Sequence, residues 1–151
     1  MRVVRLGTDA YPIWDGRGAA VRGGRWNPAG FPVIYAAGSL SLAMLEFLVQ
    51  GSDFDRTFLV DADVPGDVAI DELMEHPPPN WRALDSAEAV QAGRAWLLAG
   101  RTAVLRVPSA LVPREPNYVI NPAHPDALRI RVADPVPLDW DVRLFRGRSS
   151  R

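Results

Sequence analysis

Apolar and polar positions change period several times along the chain, and each change marks an element. The opening MRVVRLG sets valines and a leucine between arginines in the manner of a half-buried strand. Residues 7–30 are rich in glycine, carry two prolines and hold no sustained period, so they predict one long connection. A connection of that length inside a compact domain is usually functional. PVIYA, 32–36, is a short β-branched and aromatic run and predicts a strand. From Ser39 the period becomes helical: Leu42, Leu45 and Val49 recur at i, i+3 and i+7, with Ser39 as N-cap and Gly51 as stop. TFLVDADV, 57–64, predicts a strand ended by Pro65, and DELMEHPPPNW, 71–81, an extended loop around three prolines. Asp85 and Glu88 in capping-box spacing open a second helix through Val90, Trp96 and Leu97, with Gly100 beyond it. TAVLRVPSALVP, 102–113, predicts a buried strand broken at Pro108, and the remainder mixes short strands with proline turns.

A chain of 151 residues is the size of one domain, and its 48% apolar and 23% charged residues are those of an ordinary globular protein. Strands and helices together predict an α+β domain. Seventeen basic residues against eighteen acidic ones leave no global positive field, which argues against direct nucleic-acid binding. Cysteine is absent, so disulfides, thiolate nucleophiles and cysteine zinc sites are excluded. Only His76 and His124 supply imidazole. The N-terminus lacks the apolar run of a signal peptide, and no stretch approaches the roughly 20 apolar residues of a membrane span. The expectation is a cytoplasmic protein without membrane contact.

Glu46 is the only ionisable residue in SLSLAMLEFLVQ, placed between Leu42, Leu45 and Val49 on the stripe expected to face the core. A carboxylate there must pair, stay partly solvated in a cleft, or take up a proton. A Glu that reaches the surface or pairs with an arginine is the plain alternative. Arg25 lies in GGRWNPAG, where guanidinium and glycine-exposed amides together suit a pyrophosphate. A surface arginine in a turn is the commoner case, and the spacing matches neither the dinucleotide fingerprint nor the P-loop. Tyr35 closes the strand between that loop and the Glu46 helix, and Trp26 shares its ambiguity between core and ligand contact. Ser109, in VPSA, has no G-x-S-x-G elbow and no partnered histidine, which excludes a hydrolase triad. Asn117, Asn121 and His124 crowd into NYVINPAHP, where turn-forming roles explain them equally well.

In this order the residues are recognisable. "DGRGAAVRGGRWNPAGFPVIYAAGSLSLAMLEFLV", then "LRVPSALVPREPNYVINPAHPD" and "PLDWDVRLF", resemble the RES-domain family over residues 1–146, with 147–151 left as a frayed tail. The specific parts are G-G-R-W-N, the tyrosine followed eleven positions later by glutamate, and V-P-S-A with N-x-x-x-N-P-x-H-P downstream. The resemblance implies a fold related to ADP-ribosyltransferases, a mixed sheet with flanking helices. It implies the toxin of a bacterial type II toxin–antitoxin pair that consumes NAD by hydrolysis or phosphorolysis of the nicotinamide bond. By motif, Arg25, Tyr35, Glu46 and Ser109 match the family's catalytic residues. Gly23, Gly24, Trp26, Asn27, Asn117 and Asn121 are the substrate-binding set. NAD is then a substrate, with neither a prosthetic group nor a metal required, and the partner is an antitoxin with an Xre-like helix-turn-helix domain. Toxins of this kind often pair, which makes a homodimer an assembly to test.

Three other readings stand beside this one. The pocket would serve ADP-ribose transfer to a protein, or only nucleotide or antitoxin binding, or RNA cleavage; balanced charge and the lack of an acid–base histidine pair oppose the last. The polyproline stretch 77–79 supports none of them.

Overall fold

The computed structural model describes residues 1–51 and 53–147, so 148–151 of the expected tail lie outside the described residues. Among these residues, eight strands form one sheet: β1 (Arg2–Thr8), β2 (Ile34–Ala37), β3 (Thr57–Asp63), β4 (Ile70–Glu72), β5 (Val104–Pro108), β6 (Pro116–Ile120), β7 (Arg131–Val132) and β8 (Val136–Pro137). Their order is β4-β5-β6-β2-β1-β3-β7, with β8 also on β3. Every pairing is antiparallel except β4 with β5, which makes the sheet mixed. Three helices flank it: α1 (Arg17–Arg22), α2 (Leu40–Gln50) and α3 (Ala87–Ala99). No helix among the described residues is long and apolar enough to cross a membrane.

Alternation along β2 and β6 divides the core. Ile34 and Ile120 pair across the ladder and pack on one face with Val3, Val64 and Val104. Tyr35 and Val119 face the other side, where α3 covers Trp26, Leu105 and Val107 with Ala89 and Trp96. Helix α2 closes a third cluster over Val4, Leu6 and Ala37 through Leu42 and Ala43. β1 is therefore not the half-buried strand its pattern predicts. It lies inside the sheet with helices and strands on both sides, and Val3 and Val4 are both fully buried.

β1 and β3 run in register over seven residue pairs, whereas β1 and β2 share only Val4 with Ala37. The sheet parts there, and a side chain bridges the gap: Arg5 donates from Nε to the Ile13 carbonyl (2.6 Å) and from Nη1 to the Tyr35 carbonyl (2.7 Å). Burial lowers the pKa of this guanidinium, and the Asp15 carboxylate opposes the shift.

Several boundaries differ from expectation. Residues 7–30 are not all loop, because Arg17–Arg22 form α1, capped by Gly23 with φ 73°. Ile70–Glu72, at the start of the expected extended loop, pair parallel with β5. The N-cap of α3 is Ser86, whose hydroxyl accepts from the Ala89 amide, and not Asp85. On α2, Ser39 caps and Gly51 stops the helix as expected, but Leu45 and Val49 are exposed at 45% and 66%. Its buried stripe runs through Leu42, Ala43 and Phe47, one position round from the largest aliphatics. Phe47 continues into Phe54, Trp140 and Phe145, which fasten the C-terminal segment to the helix.

Candidate active site

Glu46 leaves α2 half-buried, beside the mouth formed by the end of β5 and the start of β6. Its Oε1 accepts from the Ser109 hydroxyl at 2.8 Å and from Asn117 Nδ2 at 2.7 Å. Oε2 carries no hydrogen bond among the described residues, so one oxygen is fixed and the other is open. Glu46 borders the core stripe of α2 instead of lying within it, and neutral donors, not an arginine, hold its carboxylate.

Ser109 is fully buried. Its oxygen also accepts from the Leu111 and Val112 amides, both at 3.1 Å. With its proton on Glu46 and its lone pairs on two amides, this hydroxyl orients the carboxylate and is not a nucleophile. Asn117 enters from the adjacent strand and completes the clamp. Asn121, four residues on at the far end of β6, is not brought to the site: its Oδ1 accepts from the Ala123 amide in a turn. His124 likewise caps the short turn after it, accepting from the Asp126 amide. In this structure the Asn121 side chain serves that turn.

The GGRWN loop departs from an amide cradle. The Gly23 amide donates to the Ala19 carbonyl and caps α1, while the Gly24 amide donates to the Asn27 carbonyl in a tight turn. The Trp26 amide donates to the Tyr35 hydroxyl, and the Asn27 amide closes back on the Gly24 carbonyl. Within 23–27 only the Arg25 amide is unengaged among the described residues. Glycine is needed at 24 for a different reason: a Cβ there would lie 2.7 Å from the Tyr35 hydroxyl. The loop folds on itself, and its anion-binding capacity rests on Arg25.

Asn27 is the loop's internal staple, 1% exposed, with Nδ2 donating to the Ala19, Pro28 and Phe31 carbonyls. Its Oδ1 accepts from the Tyr35 hydroxyl at 2.6 Å. Burial raises the Tyr35 pKa strongly, against the smaller effects of the Trp26 amide and the Arg25 charge, so the phenol keeps its proton and donates. Tyr35 is thereby a latch between β2 and the loop. Tyr35→Phe would orphan the Trp26 amide and Asn27 Oδ1, each costing about 1–3 kcal/mol if water does not replace the hydroxyl. We expect a lower urea midpoint at unchanged m-value; an unaltered midpoint would remove the latch.

Arg25 Nη1 donates to the Trp81 and Ala83 carbonyls, both at 2.8 Å, leaving Nε and Nη2 unspent among the described residues. Trp26, 2% exposed, stacks on Trp81 from the core side and braces the same segment. Arg82, between the two carbonyls, donates from Nε to the Ala110 carbonyl, next to Ser109. Residues 80–84 therefore form a strap from the Arg25 loop to the Glu46 clamp. Nothing in its sequence marks it, since its contacts join residues far apart along the chain.

Arg25 and Gln50 both line a hollow of about 450 Å³. Gln50 is one turn beyond Glu46 on α2, about 6 Å along the axis. A second hollow, about 490 Å³, lies on the opposite sheet face against Ile34 and Ile120. Its lining carboxylate, Asp15, is paired with Arg17 at 2.8 Å, so that space lacks the free anion a cationic transition state needs. No cluster of three or more metal-ligating side chains occurs among the described residues.

An α+β domain with a parted mixed sheet and a clamped carboxylate at its mouth is a defined class. The fold matches a chain of the M. tuberculosis MbcT–MbcA toxin–antitoxin complex, with TM-score 0.71 and 22% identity over 91% of this chain and 83% of that one. The RES domain family model matches residues 1–141, and the protein belongs to the RES-domain family. It is 39% identical over 154 residues to the Prs ADP-ribosylating toxin of Sphingobium sp. (strain YBL2), across 94% of this chain and 95% of that protein. Toxin Res of Photorhabdus laumondii subsp. laumondii is 38% identical over 156 residues, covering 98% and 99%.

Proposed function

We propose that the protein is the toxin of a toxin–antitoxin pair and cleaves the nicotinamide–ribose bond of NAD. The observation that carries this reading is the Glu46 carboxylate, fixed through one oxygen by Ser109 and Asn117 with the other left open. Breaking that bond develops positive charge on the ribose, in a transition state of oxocarbenium character like that of glycosidases. A carboxylate held in place before the charge appears stabilises it without reorganising. Oε2 faces the ribose hydroxyls and the developing cation. Nicotinamide leaves as a neutral base, so the site needs no general acid. Arg25 uses its remaining donors on the diphosphate, and Tyr35 acts through the loop it latches.

The relatives bear toxin names and the structural neighbour is part of a toxin–antitoxin complex. Both support the toxin role and an antitoxin partner, for which an Xre-like helix-turn-helix protein is proposed. Growth arrest on expression, relieved by the neighbouring gene, tests that pairing. The acceptor of ADP-ribose is water or phosphate in this reading. Transfer to a protein is the second reading, favoured by the 39% identical relative named an ADP-ribosylating toxin. Mass spectrometry of the products, with and without phosphate and with lysate protein, separates the three. NAD left intact by pure protein and by protein plus lysate would overturn the enzymatic account.

Arg25→Ala, measured by titration in a Glu46→Gln background in which turnover is slowed, should weaken NAD binding about 10–100-fold, the loss of a charge-assisted contact. Unchanged affinity would remove Arg25 from the phosphate site.

A further inference from the structure

The hollow beyond Arg25 has its own chemistry. Arg22, Arg25, Gln50, Leu84, Asp85 and Val90 line it, and its volume of about 450 Å³ lies in the range of ligand pockets. Glu46 and Gln50 stand at i and i+4 on α2, so they share a face of the helix, and Gln50 lines the hollow. Arg22 and Arg25 form no ion pair among the described residues, and neither does Asp85. Asp85 is also released from capping, because Ser86 performs it. It holds a left-handed backbone, φ 55°, just outside the helix. Leu84 beside it is 89% exposed, and half-buried Val90 continues the apolar wall.

Two cations and one carboxylate without an ion pair among the described residues, beside an uncovered aliphatic wall, fit a nucleoside phosphate: cations for phosphate, carboxylate for a ribose diol, aliphatics for the flat base. We propose that this hollow is the adenylate subsite, with Asp85 on the adenosine ribose hydroxyls, Arg22 beside the adenylate phosphate, and Leu84 and Val90 against adenine. The inference rests on Glu46 receiving the nicotinamide ribose. A carboxylate on the ribose hydroxyls is how dinucleotide folds read that sugar, reached here on an unrelated loop. The subsite makes the enzyme prefer the dinucleotide to nicotinamide mononucleotide, which lacks this half.

The test titrates AMP into the wild type and into Asp85→Asn and Leu84→Ser, and measures nicotinamide release from NAD and from nicotinamide mononucleotide. Asparagine tolerates the left-handed backbone as aspartate does, so the first variant removes charge and leaves the turn. We expect AMP to bind the wild type. Each variant should weaken AMP about tenfold and lower the NAD-to-mononucleotide ratio of kcat/KM by a similar factor. AMP that fails to bind at millimolar concentration, or variants that keep both AMP affinity and the substrate ratio, overturn the subsite. A wild type that binds AMP but releases no nicotinamide would instead overturn the reading of Glu46.

Discussion

Glu46→Gln should lower nicotinamide release about 10²–10³-fold and leave the protein folded, the range seen when one preorganised electrostatic partner of a transition state is removed. The substitution is isosteric. The glutamine carbonyl oxygen takes the place of Oε1 and still accepts from the Ser109 hydroxyl and Asn117 Nδ2. What is lost is the negative charge at the open oxygen, replaced by an amide that presents donors to the ribosyl cation. The two retained hydrogen bonds become neutral, a change of at most about 1–2 kcal/mol in stability. Circular dichroism and thermal melting check the fold; product chromatography checks the rate. If the variant released nicotinamide at the wild-type rate, the cation would be stabilised elsewhere. Ser109→Ala should show a smaller loss in kcat, because Asn117 still holds the same oxygen.

The elements legible in the sequence are those whose causes are local. Ser39 caps α2 through its own hydroxyl three residues from the Leu42 amide, and Gly51 stops the helix, so both ends follow from neighbouring residues. The RES motifs name Arg25, Tyr35, Glu46 and Ser109, but not what each side chain does. Tyr35 spends its hydroxyl on the loop and Ser109 spends its own on Glu46. Those roles depend on contacts 8 and 63 residues apart. The strap is illegible for the same reason: Arg25 meets Trp81 across 56 residues, and carbonyl oxygens leave no mark in a sequence. β4 escapes the pattern because three residues carry too little periodicity to announce a parallel pairing with β5. The stripe on α2 is displaced from its expected place because counting large aliphatics favours Leu45 and Val49. The close approach to β1 is made instead through small Ala43 beside Leu42, which lets the helix settle against Val4 and Leu6. Glu46 consequently faces the mouth.

Gly93→Ala should unfold the site from behind, an effect opposite in sign to helix propensity. In an isolated helix, alanine for an interior glycine is stabilising by about 1 kcal/mol. Here a Cβ on Gly93 would lie 1.6 Å from the Trp26 carbonyl oxygen and 2.6 Å from its carbon. Backbone cannot yield as a flexible side chain does, so α3 must move away from the loop. That movement opens the packing of Trp26, Ala89 and Trp96, each at most 5% exposed. Overpacking a core costs typically about 1–3 kcal/mol, and a backbone collision belongs at or above the upper end of that range. In a domain of this size a loss of about 3 kcal/mol lowers Tm by roughly 6–12 °C. Ala95→Gly, at an exposed position of the same helix, supplies the comparison and should cost only about 1 kcal/mol, by propensity alone. The damage at Gly93 should extend to NAD binding, because the Trp26 amide is held by Tyr35 and the adjoining Arg25 holds the strap. A Gly93→Ala protein as stable as the wild type would mean that α3 and the loop have room for a methyl group between them, and the lever from helix to phosphate site would disappear with the contact.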